Sequence, residues 1–184
     1  MESISKVETY TIKNNWLTIS TNPMPILDAN NNIIGYVSKF FNSMGEKIVG
    51  YLSGRPIFYN FQTEDTDGNI RIRVIQSILF FKRAEWKVEL YTDQQKDIRF
   101  LVRDSSIIGA SKTLAFEFKG RQIIMENKNV HYQTRFIDNN NDVIAQCECK
   151  GIPKSFYIQV FKPELDIYQI STLALIQYYW SIIV

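Results

Sequence analysis

The run from Ile167 to Val184, "IYQISTLALIQYYWSIIV", constrains this chain more than any other stretch. It lacks Gly, Pro and strand-like alternation. Ahead of it stand Pro163, Glu164 and Asp166, a helix start, because proline tolerates the first turn and carboxylates favour the positive end of the helix dipole. The spacing predicts a helix over about residues 164–183, roughly five turns long. Its apolar residues, Leu165, Ile170, Leu173, Leu175, Ile176, Tyr178 and Trp180 among them, fall on every side, so the helix has to be enclosed by protein or by lipid. A bilayer span needs about 20 apolar residues. This stretch is at the short limit and carries Gln169, Ser171, Thr172, Gln177 and Ser181, and glutamines are costly in hydrocarbon unless paired. Burial in protein is the expected outcome, with a tail anchor as the alternative.

What could enclose such a helix is set by the rest of the chain, from about Val7 to Phe161, where the dominant signal is strand periodicity. In "DVIAQCECKG", Val143, Ala145, Cys147 and Cys149 share one face while Gln146, Glu148 and Lys150 share the other. "TLAFEFKG" and "EWKVELYT" repeat the pattern, and "VETYTIK", "WLTIS", "IGYVSKFF", "IVGYLS", "PIFYNFQT", "NIRIRVIQSILFF", "RFLVRD", "RQIIMEN", "YQTRFID" and "SFYIQVF" also read as strands. The connectors "DANNN", "TDGN", "KGRQ" and "DNNND" supply the residues that tolerate positive φ in tight hairpins. Consecutive strands are therefore expected to be antiparallel neighbours. The predicted fold is mainly β: a closed antiparallel barrel of about 12 strands, with the hydrophobic C-terminal helix filling its bore. "ILDANNNIIGYV" and "FIDNNNDVIAQC" look alike, either because such turns are common or because one hairpin unit recurs around the barrel.

No proline-rich or low-complexity linker divides the chain, so residues 1–184 are expected to form a single domain. Lys and Arg number 21 against 19 Asp and Glu, a balance that calls for no polyanionic partner such as nucleic acid. The opening "MESISKVETY" has Glu2 where a signal peptide carries positive charge, and two cysteines make no disulfide framework, so the expected location is cytoplasmic.

The hairpins in "ILDANNNIIGYVSKFF" and "RFIDNNNDVIAQCECKG", and above all the ending "YIQVFKPELDIYQISTLALIQYYW", resemble the tubby-like superfamily. That group takes in the tubby C-terminal domain, the plant LURP-one-related proteins, the phospholipid scramblases and small bacterial relatives. The resemblance covers nearly the whole chain. It implies a 12-stranded barrel around a central helix, and a function at membranes: tubby domains bind phosphoinositide headgroups through surface basic residues, and scramblases act on phospholipids.

Enzyme chemistry finds little support. His131 is the one histidine, and there is no GxSxG, Gly-rich phosphate loop or HExxH. Cys147 and Cys149 have no further cysteines to complete a zinc site of about four ligands, so core packing is expected of them. "TEDTDGN" fails as a calcium loop because Thr63 stands first and Val74 occupies the glutamate position, so Asp65, Asp67 and Asn69 are expected to shape a hairpin. Neither metal nor cofactor is expected. The stretch from Ile70 to Tyr91 holds Arg71, Arg73, Lys82, Arg83 and Lys87 against Glu85 and Glu89, with Phe80, Phe81 and Trp86 close by. Basic residues beside aromatics suit anionic headgroups; an ordinary solvated exterior looks the same in sequence. The expectation is a monomeric, non-enzymatic binding or scaffold domain that takes an anionic phospholipid through those five residues, peripherally at the inner membrane face. A soluble small-ligand or protein-partner module is the alternative.

Overall fold

Alternating apolar and polar side chains put one face of a segment against a core and the other in water. The computed structural model describes residues 7–13, 21–53, 58–77, 83–92, 95–106, 112–128, 133–151 and 155–182. The first strands are β1 (Glu8–Lys13), β2 (Met24–Leu27) and β3 (Ile33–Lys39), followed by the helix α1 (Met44–Ser53). Then come β4 (Phe61–Asp65), β5 (Ile70–Ser77), β6 (Glu85–Thr92), β7 (Gln95–Asp104) and β8 (Thr113–Phe118). The chain continues through β9 (Arg121–Lys128), β10 (Gln133–Asp138), β11 (Val143–Lys150) and β12 (Ser155–Val160) to the helix α2 (Ile167–Ile182). Each strand pairs antiparallel with its neighbours in sequence, and β1 pairs with β12 to close a twelve-stranded barrel. The inward faces are those the alternation predicts: Leu114, Phe116 and Phe118 on β8, Trp86, Val88 and Leu90 on β6, and Cys147 and Cys149 on β11 are all buried.

One hairpin recurs three times. Asp28, Asp65 and Asp138 each accept, on Oδ1, the main-chain N–H groups two and four residues on, at 2.8 to 3.0 Å. The residue three beyond each aspartate takes a left-handed conformation: Asn31 at φ 63°, Gly68 at 82° and Asn141 at 64°. In each case a register shift precedes the turn, so all three are type I turns closed by a left-handed residue and a bulge. The likeness between "ILDANNN" and "FIDNNND" is thus a shared hairpin geometry, and "TEDTDGN" is its third copy.

α2 lies where its composition requires. Ile170 to Tyr178 are buried without interruption, which only enclosure on every face achieves. Ring contacts run from Tyr178 to Phe156 on β12, Tyr179 to Phe61 on β4, and Trp180 to Trp86 on β6. Two of the polar residues that argued against lipid have partners in the wall: Thr172 hydrogen-bonds Thr63, and Gln177 Nε2 donates to the Lys112 carbonyl at 2.8 Å, while Ser171 Oγ is buried with no partner among the described residues. Nearby, the Tyr168 hydroxyl donates to the Ile34 carbonyl at 3.0 Å. Gly35 makes this last bond possible, since a Cβ there would stand 2.8 Å from the Tyr168 ring and 2.5 Å from the Glu64 carbonyl.

Two sequence expectations need correction. α2 starts at Ile167 and not near 164, because Asp166 and Gln169 form a capping box: the Gln169 N–H donates to Asp166 Oδ1 at 2.8 Å and the Asp166 N–H to Gln169 Oε1 at 3.3 Å. "IVGYLS", read as a strand, is the second half of α1. Its start is capped within "SMGE": the Glu46 N–H donates to Ser43 Oγ at 3.1 Å, and Glu46 Oε2 reaches back one residue further to accept the Asn42 N–H at 2.7 Å. "WLTIS" lies outside the described residues.

At the foot of α1, Lys39 is 7% exposed with its ammonium 5.3 Å from the centre of the Tyr59 ring. Burial disfavours its charged form and brings its pKa down to about 8. The unfolded chain, with the ordinary value of 10.5, holds the proton more tightly, so the contribution of this residue to stability is least favourable below about pH 8 and improves toward pH 10. Lys39→Met should therefore gain most over wild type in thermal melting below about pH 8, with the gain shrinking toward pH 10; a difference that does not change with pH would contradict the assignment.

Candidate functional site

β5 directs Ile72 and Val74 into the barrel, so Arg71 and Arg73 project outward side by side. The register then sets their surroundings, with Gln62 of β4 opposite Arg73 on one side and Glu89 of β6 on the other. Arg71 lies 4.0 Å from Asp65 Oδ2 and over the Tyr168 ring at 5.6 Å, drawn toward the hairpin end of the barrel. Arg73 donates from Nη2 to Gln62 Oε1 at 3.1 Å, and its guanidinium carbon sits 4.8 Å from the centre of the Phe40 ring. Its Nε is buried and has no hydrogen-bond partner among the described residues. Lys87 places Nζ 2.9 Å from Glu89 Oε1, and the Tyr91 hydroxyl donates to Glu89 Oε2 at 3.0 Å. Burial first and the Glu89 carboxylate second push the Tyr91 hydroxyl above its ordinary pKa.

Of the five residues predicted, the structure therefore brings Arg71, Arg73 and Lys87 together on the outer faces of β5 and β6. Arg83 stands apart, on the rim of a groove between β7 and β8, and Lys82 lies outside the described residues. His131 lies outside them as well.

The groove is a feature the sequence did not announce. β7 and β8 are joined in register only at Arg103 with Ala115 and Asp104 with Leu114, and then diverge. The inner face opens there: Ile98 is 36% exposed although Leu90, its partner across β6, is buried. Phe100 bridges the divergence by stacking on Phe116 with centroids 5.1 Å apart. The resulting groove, about 1190 Å³, has Phe100, Leu101 and Phe116 along it and Arg83, Arg103 and Glu117 at its edges. Arg103 is engaged, its Nε 2.8 Å from Glu85 Oε2. No local sequence pattern reports such a split, because each strand alternates normally and the missing partner is on another strand.

Two constellations weighed for metal have structural roles. Asp65 accepts the N–H groups of Asp67 and Asn69 and the Asn69 side-chain amide at 3.2 Å, so its oxygens close the hairpin. Burial alone would raise its pKa, but the Asn69 and Asp67 hydrogen bonds and Arg71 outweigh that and hold it below the usual carboxylate value. Cys147 and Cys149 are free thiols buried at 3% and 5% exposure. Burial, followed by the neighbouring Cys149 and Glu148, drives the Cys147 thiol far above its ordinary pKa, so no thiolate forms at neutral pH. Native protein should leave both thiols unlabelled by a disulfide reagent, with full labelling only on unfolding; rapid native labelling would contradict their burial.

A closed barrel of twelve antiparallel strands, threaded by its own C-terminal helix and carrying its charge on outward strand faces, defines a class of barrel-and-central-helix domains. The chain belongs to the family described as "Tubby C-terminal like domain", whose pattern matches residues 10–180. Among solved structures it is similar to an X-ray structure of a protein from Arabidopsis thaliana, with a TM-score of 0.58 and 15% identity over 94% of this chain and 90% of that one, a likeness of fold alone. No curated protein matches the chain. No helix among the described residues is long and apolar enough to cross a membrane.

Proposed function

We infer that this is a non-enzymatic binding domain that takes an anionic phospholipid headgroup, of the phosphoinositide kind, at the cytoplasmic face of a membrane, through Arg71, Arg73 and Lys87. Membership of a family known for phosphoinositide binding gives the reading its prior. The observation that carries it is the state of Arg73: an outward guanidinium with its carbon 4.8 Å from the centre of the Phe40 ring, bonded through Nη2 to a neutral glutamine instead of a carboxylate. A phosphate oxygen is the acceptor that a guanidinium fork meets two bonds at a time. Arg71 and Lys87 project from the outer faces of the same two strands, β5 and β6. Their carboxylate neighbours Asp65 and Glu89 temper the field, which favours a site read at short range over nonspecific attraction.

The groove between β7 and β8 favours a second reading, a small amphipathic ligand lying along Phe100 and Phe116 with Arg83 at its edge. On that reading no membrane is involved.

Cosedimentation with vesicles separates the two. Each cation near an anionic surface contributes about 1 kcal/mol, so replacing Arg71, Arg73 and Lys87 by glutamate should weaken binding to phosphoinositide-containing vesicles by about a hundredfold or more and reduce its salt dependence. Equal binding by the triple variant would overturn the assignment of this surface.

A further inference from the structure

α1 is amphipathic in the wrong sense for a helix packed on a soluble domain. Met44, Ile48 and Leu52 recur every four residues and so share one face, and they are 70%, 51% and 81% exposed, with Val49 beside them at 44%. The polar residue is on the inside. Glu46 is buried, and its Oε2 accepts the Asn60 side-chain amide at 2.7 Å as well as the Asn42 N–H. Asn60 Oδ1 in turn accepts the Gln76 N–H at 2.8 Å, and Gln76 Oε1 accepts the Tyr59 N–H at 2.9 Å, so the helix is tied to the ends of β4 and β5 by polar bonds. Gly50 lets it lie close, since a Cβ there would stand 3.1 Å from the Phe41 ring.

The register shows what else is at this end of the barrel. Odd-numbered strands run toward α1 and even-numbered strands start there, because Lys39 pairs with Phe61, Lys128 with Gln133, and Lys13 and Lys150 both with Ser155. Lys13, Lys39, Lys128 and Lys150 are thus the last residues of β1, β3, β9 and β11, while Arg83 stands two residues ahead of β6 and Lys112 immediately precedes β8. The carboxylates at this end are engaged: Glu46 internally, Glu85 with Arg103, Glu148 with Lys150, and Asp104 with the Ser106 N–H. The opposite end carries the three aspartate hairpins, with Asp28, Asp65, Asp67, Asp138 and Asp142, together with Glu164 and Asp166, against the cations Arg71, Lys119, Arg121 and Lys162, so acids outnumber cations there. The barrel is electrically polar, and its exposed apolar helix is at the positive end.

We propose that α1 is a membrane-inserting helix: the basic end of the barrel faces an anionic bilayer, and Met44, Ile48 and Leu52 enter the headgroup and acyl boundary. A short helix with its apolar face outward and cations around it has the form of an interfacial helix lying in the membrane plane. A protruding convex stripe enters a deformable medium, where a groove would receive a partner. This inference rests on the lipid-binding reading and adds to it an orientation, in which Arg73, beside Phe40 ahead of α1, reaches headgroups in the same layer and Arg71, drawn toward the opposite pole, stands farther from the surface.

The test uses the full chain with Leu52→Cys carrying an environment-sensitive fluorophore, alongside Ile33→Cys, whose site is exposed at the acidic end. The probe is vesicles of phosphatidylcholine alone, with phosphatidylserine, or with phosphatidylserine and a phosphoinositide, all doped with nitroxide lipids. The label at position 52 should shift blue and be quenched only by anionic vesicles, while the label at position 33 responds to neither. Met44→Ser, Ile48→Ser and Leu52→Ser combined should keep the native melting profile and lose on the order of a hundredfold in vesicle affinity. If wild type binds anionic vesicles but position 52 is not quenched, or if the serine variant binds as well, insertion is refuted while headgroup binding stands. If wild type binds no vesicle at all, both readings fall. A blue shift that grows with protein concentration without lipid, accompanied by a doubling of mass, would make the stripe a contact between two copies and overturn the proposal.

Discussion

The enclosure of α2 by the sheet is the constraint on which the rest depends. Ile170, Leu173, Leu175 and Ile176 are each fully buried, and burying four such side chains contributes about 6 to 12 kcal/mol before opposing terms, as large as the whole net stability of an ordinary domain. The dependence runs both ways. Without the helix, Phe61, Trp86 and Phe156 would line an empty bore; without the wall, Thr172 and Gln177 would lose the partners that make their burial tolerable. Closure also leaves no lateral edge except where β7 and β8 part.

Strand order and turn chemistry then distribute function over the barrel. Because every connection between neighbours is antiparallel, residues of one kind placed at alternate strand ends collect at one pole. The aspartates that build the tight hairpins gather at the pole where α2 enters, and lysines gather at the other, where α1 sits. The carboxylates at the first pole have structural work: the Asn32 side chain and main chain and the Asn30 N–H hold the Asp28 carboxyl below its usual pKa, so it stays ionised and keeps its hairpin closed. The charge asymmetry is thus partly a by-product of folding, and it supplies the direction in which a surface binder would approach.

Much of this was legible in the sequence because period-two alternation carries its own proof. Ala145 to Cys149 on one face, Leu114 to Phe118 on one face, and the helix with apolar residues on all sides each admit few placements, and the structure follows them. Val143, expected on the same face as Ala145, is half-buried, because the register shift before the turn puts Ile144 inside instead. The outward pairing of Arg71 with Arg73 was readable for the same reason. What they touch was not, since Phe40 and Tyr168 arrive from distant parts of the chain through register. "IVGYLS" misled because four of its six residues are apolar and short apolar runs do not distinguish helix from strand; the deciding signal, Ser43 with Glu46, lay just upstream. The groove was illegible in principle, being an absence of pairing between two strands that each look complete.

The central claim is that the sheet folds around its own C-terminal helix. Expressing the chain without residues 167–184 and following its unfolding by calorimetry tests that directly. The account predicts a product that is aggregated or melts without a cooperative transition. A soluble remnant with a sharp, two-state melt would show that the barrel stands without its core helix and would contradict it.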